Sequence, residues 1–401
     1  MISLINFFII ICSFPLVFVF EKKILKKRSI FFYPFIVMLF VIFLHLIYEV
    51  FYDYNDLNPK ATLVIVFGFF LLSFSSIFFP HKVKFSYYAG RANFEKLLFL
   101  PIVMIIFSSM KLFYYFLTQN GSLELIELNN EEISNINNYV FYQILLTPII
   151  FFSTFKKKIK FFLLGLNLLC LFLTFVKGTI LISVISIFIY NIEILKIKIK
   201  IKYLLSILVG GLCIFSFSYL IPMYFLSNDL NPSFFIEKFA HYLFAGLDGF
   251  SVFTSVPVNQ VYLPTEILFA PFINLLSNLT GLIDNIRVMD FASLNSLVIN
   301  NNNEVNVFTL FGTIYIACGK NILLYSAIII FFGIITNFFF AISTKLKLFY
   351  TSISSIIWLS CFYLSFFEFY FWHSFLYYII LFGLSLDFIF YFFKFFIYEK
   401  K

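Results

Sequence analysis

The sequence contains few charged residues. Only 12% of its 401 residues are Asp, Glu, Lys or Arg, whereas 62% are hydrophobic and the mean hydropathy is +0.99. A soluble protein of this size is about half apolar and about a quarter charged. One water-soluble core cannot bury that much apolar surface, so the composition excludes a soluble enzyme, a disordered chain and a nucleic-acid-binding domain. We therefore predict an all-α, polytopic integral membrane protein with the lipid bilayer as its surroundings.

Cysteines and the familiar motifs of metal and nucleotide chemistry are also scarce. The five cysteines are scattered and none forms a Cys-x-x-Cys pair, so we interpret them as packing residues. The chain has no His-Glu-x-x-His, Asp-x-Asp, P-loop or Gly-x-Ser-x-Gly pattern. We expect neither a metal nor a cofactor.

Long apolar runs dominate the rest of the chain. A helix needs about 20 apolar residues to cross a bilayer, which predicts about eleven transmembrane helices at 2–20, 30–52, 62–80, 97–117, 139–154, 161–176, 180–195, 203–226, 322–343, 348–367 and 375–393. The first run lacks a basic start and a small-residue cleavage site, so it does not resemble a cleaved signal peptide. We predict eight helices in 1–226, one large periplasmic loop with short amphipathic helices in 227–321, and three helices with a tail in 322–401.

The basic residues predict the orientation. Most of the 28 Lys and Arg residues fall in alternate short loops, at 21–29, 81–96, 155–160, 195–202 and 344–347, and in the tail at 394–401. Such loops face the cytoplasm. We therefore expect a multi-pass protein of the bacterial inner membrane, with a periplasmic N-terminus and a cytoplasmic C-terminus. The net charge of +8 is then a sign of topology.

A few basic residues are left on the opposite face, where each needs an explanation. Lys60 is interpreted as ordinary loop charge, and Lys111 can extend from a helix end to the interface. Lys177 lies in a predicted turn, Lys177-Gly178-Thr179, between two apolar runs, and Lys320 has a similar setting. Each lysine either snorkels to the interface or binds an anion.

The large loop contains a predicted helix from Pro232 to Gly246. Its periodicity places Glu237 and His241 about 40° apart around the helix, and Asp248 would join them if the helix continued. Lys238 lies at the edge of this face. The residues are either a general base with an orienting partner or the solvated face of an amphipathic helix.

A second helix is predicted from Pro271 to Arg287, with Arg287 between Asp284 and Asp290. Arg287 either forms a solvated ion pair or binds a phosphate, since a guanidinium matches phosphate geometry. Within the apolar runs, Glu49 and Asp387 are the ionisable groups of interest, and no partner at comparable depth is evident for Asp387. His45 and His373 are interpreted as lone histidines.

Several local patterns resemble the Wzy-type oligosaccharide repeat-unit polymerases of O-antigen and capsule assembly. They are Leu173-Thr174-Phe175-Val176-Lys177-Gly178 before an apolar run, Tyr242-Leu243-Phe244-Ala245-Gly246 in the large loop, and Asn306-Val307-Phe308-Thr309 followed by Gly312, Tyr315 and Gly319. The chain departs from the family in having Lys177 where many members have Arg, and in having Ala317-Cys318 in place of an acidic-aromatic pair.

The resemblance implies a membrane glycosyltransferase. Both substrates would be repeat units linked to undecaprenyl pyrophosphate, and the growing chain would pass to a sugar hydroxyl of the incoming unit at the periplasmic face. The resemblance leaves room for one protein partner, a regulator of chain length. No nucleic acid is expected to bind. Such a reaction needs a cationic pyrophosphate site and a base for the acceptor hydroxyl.

Residues of both kinds are available on the predicted outer face. The expected bases are His241, Asp248 and Glu237. The expected substrate-binding residues are Lys177, Arg287, Lys238, Lys320 and Tyr242, with Lys177 and Arg287 on the pyrophosphate. Two other functions remain open: a lipid-linked oligosaccharide flippase, which would show paired halves and no dominant loop, and an O-antigen ligase, for which His241 would be the signature loop histidine.

Overall fold

The protein is an all-α membrane protein. The computed structural model describes residues 2–26, 28–52, 55–79, 91–120, 142–173, 177–195, 232–255, 273–274, 276–277, 280–281, 297–299, 303–305, 308–366 and 375–398. The helices are α1 (Ile2–Phe20), α2 (Phe32–Tyr52), α3 (Pro59–Ser75), α4 (Arg91–Asn120), α5 (Tyr142–Phe152), α6 (Lys157–Leu173), α7 (Lys177–Ile189), α8 (Pro232–Ser255), α9 (Leu310–Ala317), α10 (Ile322–Lys345), α11 (Phe349–Tyr363) and α12 (Phe375–Tyr398). A short antiparallel hairpin pairs β1 (Leu297–Ile299) with β2 (Asn303–Val305).

Five helical segments of the described chain are long and apolar enough to cross a membrane. They are Ile2–Leu25, Phe32–Tyr52, Pro59–Phe78, Ile322–Lys345 and Tyr378–Phe395, and they match predicted runs. Large apolar side chains on these segments are exposed, with Phe51 at 77% and Leu323 at 79%. Such surfaces are stable against lipid tails but not against water. The run at 203–226 lies outside the described residues, and the total of eleven spans stays a prediction.

The chain divides into two compact units. The first unit contains Met1–Lys82, Pro232–Ala341 and Cys361–Tyr378. Polar bonds fix the direction of its helices. Asn6 of α1 donates to the Leu57 carbonyl and accepts from Thr62 of α3, at 2.5 and 2.8 Å. The N-terminal ends of α1 and α3 therefore lie side by side, so the intervening α2 runs in the opposite direction.

Two bonds show that α10 packs parallel to α3 within the first unit. The Tyr325 hydroxyl donates to the Val64 carbonyl at 2.9 Å, one turn into each helix. At the C-terminal end of α3, Ser75 Oγ accepts from the amide of Asn337, in the second half of α10, at 3.1 Å. The N-terminal ends of α1, α3 and α10 and the C-terminal end of α2 thus share one end of this unit.

The second unit contains Val83–Asn231, Ile342–Ser360 and Ile379–Lys401. Its core includes the side chains of Ile102, Ile106, Leu146, Ile150, Leu163 and Leu164. Asp387 of α12 accepts bonds from the Tyr350 and Thr351 amides at 3.2 and 2.7 Å and from the Thr351 hydroxyl at 2.8 Å. The intramembrane carboxylate with no evident partner is therefore a cap for the N-terminus of α11.

Three local predictions need correction. The helix expected to end at Gly246 continues to Ser255. The helix expected from Pro271 to Arg287 is interrupted at Gly281, where φ is 66° and the N–H bonds to the Ser277 carbonyl at 2.7 Å. That left-handed conformation is typical of a glycine that ends a helix.

The third correction concerns Lys177, which was expected in a turn. The residue begins α7, so Lys177 and Gly178 lie in the first helical turn. A lysine at this end opposes the positive end of the helix dipole unless an anion is present. The backbone position therefore keeps the anion-binding interpretation open.

Candidate functional site

The candidate site begins on α2, near its C-terminal end. His45 and Glu49 are four residues apart and so lie on one helix face. Both are enclosed, with His45 at 0% and Glu49 at 7% exposure. The His45 Nδ1 and Glu49 Oε2 atoms are 3.9 Å apart. Ionisable side chains within apolar helices are costly and commonly functional.

Helix α8 of the predicted large loop contributes the second carboxylate of the site. Asp248 is 2% exposed, and its Oδ1 lies 2.8 Å from His45 Nε2. The Phe244 ring, one turn earlier on α8, meets the imidazole edge-on at 4.9 Å between centroids. The interpretation of His45 as a lone histidine is therefore wrong, because the imidazole lies between two carboxylates.

The cluster reaches the surface through Glu49. The Ser3 hydroxyl of α1 donates a hydrogen bond to Glu49 Oε1. Asp56, an exposed residue in the segment before α3, lies close enough for its charge to act on Glu49. The sequence of groups therefore runs from exposed Asp56 through Glu49 and His45 to enclosed Asp248, and we call these four residues the acid cluster.

This arrangement can accept and hold a proton. An ionised carboxylate only accepts hydrogen bonds, so an ionised Asp248 requires the proton on His45 Nε2. His45 Nδ1 then faces Glu49 Oε2 at 3.9 Å, on the opposite side of the ring from Asp248. The contact with Ser3 shows that the Glu49 carboxylate can receive a hydroxyl donor. A carboxylate backed by an oriented imidazole has the parts of a general base.

The predicted bases on α8 are placed as follows. Glu237, His241 and Asp248 all lie on the one helix, and successive spacings of four and seven residues keep them on one face. Asp248 joins the acid cluster through its bond to His45. His241 is half-buried, two turns before it. The side chains of Glu237, Lys238 and Tyr242 lie outside the described part of the chain.

The predicted cations are spread over several elements. Lys177 begins α7, with its side chain outside the described part, and Arg287 lies outside the described residues altogether. Lys320 follows α9, half-buried, and its Nζ donates to the Thr254 carbonyl at the end of α8 at 3.3 Å. Of the predicted anion-binding residues, the structure therefore brings Lys320 to the helix that carries Asp248.

Two motifs of the predicted large loop pack against one another. The Thr309 amide donates to the Gly246 carbonyl at 3.1 Å, and Thr309 Oγ1 caps α9 by accepting from the Gly312 amide at 2.9 Å. A Cβ on Gly246 would collide with the Phe366 carbonyl oxygen, and one on Gly312 would lie 2.6 Å from the Phe250 ring. Both glycines are therefore required by close packing beside the acid cluster.

Sequence reasoning missed His45 and Asp56. Asp248 lies 203 positions from His45 in the chain, so no local spacing connects them. The available signal was the depth of His45 and Glu49 in one apolar helix. Four-residue spacing there is the pattern of a paired site.

Comparison with known proteins identifies a family. A family model described as DUF6337, a family of unknown function, matches residues 28–395. The chain belongs to the DUF6337 family. No curated protein and no solved structure matches the chain. The matched range of this DUF6337 member includes His45, Glu49, Asp56 and Asp248, so the whole acid cluster falls within the family region.

Proposed function

We propose that this DUF6337 protein is a membrane glycosyltransferase that polymerises oligosaccharide repeat units carried on undecaprenyl pyrophosphate. The growing chain passes to a sugar hydroxyl of the incoming unit, and undecaprenyl pyrophosphate leaves. The single observation that carries the proposal is the bond between Asp248 of α8 and His45 of α2. It supports a proton-accepting group where the large loop meets a membrane-spanning helix.

The spacing along α1 supports an outer location for this chemistry. Ser3 lies at the acid-cluster end, whereas Glu21 and the basic residues 22–28 follow the other end. Eighteen residues of helix span about 27 Å, close to the hydrocarbon thickness of a bilayer. Because basic loops face the cytoplasm, the acid cluster faces the periplasm. We propose eleven spans in the inner membrane, a periplasmic N-terminus, a periplasmic loop over 227–321 and a cytoplasmic C-terminus.

In this reaction the acceptor hydroxyl gives its proton to the acid cluster. Glu49 is the member that already binds a hydroxyl, and His45 with Asp248 holds the charge behind it. Asp248 is thus the predicted base residue with the strongest structural support, while His241 and Glu237 remain candidates on the same helix face. Lys177, Arg287, Lys238 and Lys320 are the proposed cations for the pyrophosphate, and Tyr242 is proposed to contact sugar.

The experiment supplies lipid-linked repeat units to purified protein in vesicles. We expect a ladder of polymer lengths, and we expect Lys177→Ala and Arg287→Ala to abolish it while membrane insertion stays normal. A single transfer to a different acceptor would indicate a ligase instead. Normal ladders from both variants would remove these two residues from the proposed pyrophosphate site.

A flippase is the second candidate, because the same helices carry another enclosed carboxylate. Glu21 is 2% exposed and accepts bonds from the Ser29 and Ser73 hydroxyls, at the opposite end of α1 from Ser3. Carboxylates at both ends of a bundle suit a proton-coupled transporter. Vesicles that translocate the lipid-linked unit without joining units would favour this function.

A further inference from the structure

One enclosed carboxylate of the described chain lies outside the proposed chemistry. Glu21 follows α1, at the end opposite Ser3. It is 2% exposed, and the two serines that donate to it, Ser29 and Ser73, are enclosed as well. An ionisable group among apolar helices is costly and commonly has a function. Glu21 therefore needs an explanation that the acid cluster does not provide.

The two carboxylate oxygens of Glu21 have different surroundings. The Ser29 hydroxyl donates a hydrogen bond to Oε1, and the Ser73 hydroxyl donates to the same oxygen at 3.3 Å. Oε2 is enclosed and has no hydrogen-bond partner among the described residues. An enclosed carboxylate oxygen without a partner costs more than a neutral polar atom, because it also carries charge. Oε2 therefore points to a ligand of positive charge.

The neighbouring basic residues of the described chain form no ion pair with Glu21. Arg28 is close enough for its charge to act on Glu21. Its guanidinium, however, donates to the Tyr33 hydroxyl at 2.8 Å and lies 5.3 Å from the centroid of the Phe32 ring. The lysines within residues 22–26 are exposed, where water and salt screen their charge. The positive partner of Oε2 is therefore not a side chain of this region.

The oxygen atoms around Glu21 are spaced as the ligands of a small cation are. Ser29 Oγ and Ser73 Oγ are 3.2 Å apart, and Ser73 Oγ lies 3.3 Å from Glu21 Oε1. A hydroxyl that donates to a carboxylate keeps its lone pairs for a cation. Hard cations of moderate size take oxygen ligands at about 2.4 Å, so two ligands at a right angle are about 3.4 Å apart. The three side chains could thus hold a cation with little movement.

The backbone at this location is irregular in a way that brings the serines to Glu21. Residues Glu21–Leu25 form one turn of π-helix, and Lys26 follows in the left-handed region with a φ of 52°. Single π-helical turns are frequent at functional sites. The turn ends α1 and lets Ser29 return to Glu21, while Ser73 comes from α3. The three side chains therefore belong to three segments of the first unit, which a bound cation would tie together.

We propose that Glu21, Ser29 and Ser73 bind a small monovalent cation, Na⁺. The ligands are all oxygens, which suit a hard cation. One carboxylate balances one positive charge, whereas a divalent cation would leave an uncompensated charge in an enclosed site. The inference does not depend on the proposed function, because Glu21 lies about 27 Å along α1 from Ser3 and takes no part in the proposed proton transfer.

The test measures binding of radioactive Na⁺ to the purified full-length protein in nanodiscs, and thermal melts in sodium, potassium and choline chloride at equal ionic strength. Na⁺ at tenfold above its Kd should raise the melting temperature over the choline value by about 2 °C or more, and K⁺ should raise it less. Glu21→Gln should abolish Na⁺ binding, and Ser73→Ala should weaken it about tenfold. Ser76→Ala, at an enclosed serine that bonds to Asn337, is the matched control.

Several results would overturn the cation site. Equal melting temperatures in sodium and choline chloride, without saturable Na⁺ binding, would do so. A melting temperature that depends on pH but not on Na⁺ would show that Glu21 holds a proton instead, and equal binding of K⁺ would overturn the assignment to a small cation. If Glu21→Gln does not fold, Ser73→Ala decides, because wild-type Na⁺ binding in that variant would remove the site. No lipid-linked substrate is used, so failure here and failure of the polymer assay are separate results.

Discussion

Replacing Asp248 by Asn tests whether the acid cluster acts in chemistry or only in folding. Asn keeps the size of the side chain, and its oxygen can still accept from His45 Nε2 across the 2.8 Å contact. The change therefore converts a charged hydrogen bond into a neutral one, which costs about 1 kcal/mol of folding free energy. If the cluster is the base, activity falls much further, by about a hundredfold or more.

Asp387→Asn is the matched control, since it makes the same change at a second enclosed aspartate. Asp387 accepts three bonds through two oxygens, and an amide has only one oxygen to offer. The variant loses at least one bond to α11, which costs about 1–3 kcal/mol. We expect Asp387→Asn to lower the melting temperature more than Asp248→Asn, with little change in activity per folded molecule.

Polymer yield from lipid-linked repeat units, divided by the folded fraction from a thermal melt, measures both effects. The reasoning fails if Asp248→Asn retains wild-type yield per folded molecule. It also fails if the two variants lose the same share of yield, because a common loss would indicate a common structural role. Glu49→Gln should reduce the polymer yield of the wild-type protein. It should not restore the yield that is lost in an Asp248→Asn background, since both residues act on His45.

Three further predictions follow from packing, titration and topology. Gly246→Ala should destabilise the fold strongly in a melt, since its Cβ meets the Phe366 carbonyl, whereas Gly165→Ala, with open space at its Cβ, should be neutral or stabilising by about 0.5–1 kcal/mol. Lys320 has a pKa below its ordinary value of 10.5 in the folded protein. The free energy of unfolding should therefore rise as the pH increases from the folded-state pKa toward 10.5. In thermal melts over this pH range, Lys320→Met should flatten the rise. A membrane-impermeant thiol reagent should label Lys320→Cys but not Lys345→Cys in intact cells, each in a cysteine-free background; the reverse pattern would invert the proposed topology.

The sequence was sufficient for the fold class because hydropathy and length alone decide whether a helix can cross a bilayer. It was less informative at glycines. Gly246 was interpreted as the end of a helix, since glycine commonly ends helices. Its role is instead to allow the close approach of the Phe366 backbone. A glycine required by packing and one required by backbone conformation, such as Gly281, look the same in a sequence.

The candidate site was only partly predictable for a related reason. Asp248 was named because it follows the periodicity of one helix, and periodicity is a local property. Its partner His45 is brought to it by the packing of α8 on α2, which a single sequence does not encode in any spacing. Lys60 was interpreted as ordinary loop charge, because nothing in the sequence shows that its ammonium, at the start of α3, lies over the Tyr315 ring.

The bonds between α3 and α10 have a consequence for how these two helices move. The helices are joined near their N-terminal ends by Tyr325 and Val64, and again by Asn337, in the second half of α10, and Ser75, at the end of α3. A pair joined at two separate points along its length resists sliding and splaying, so within the first unit these two helices move together.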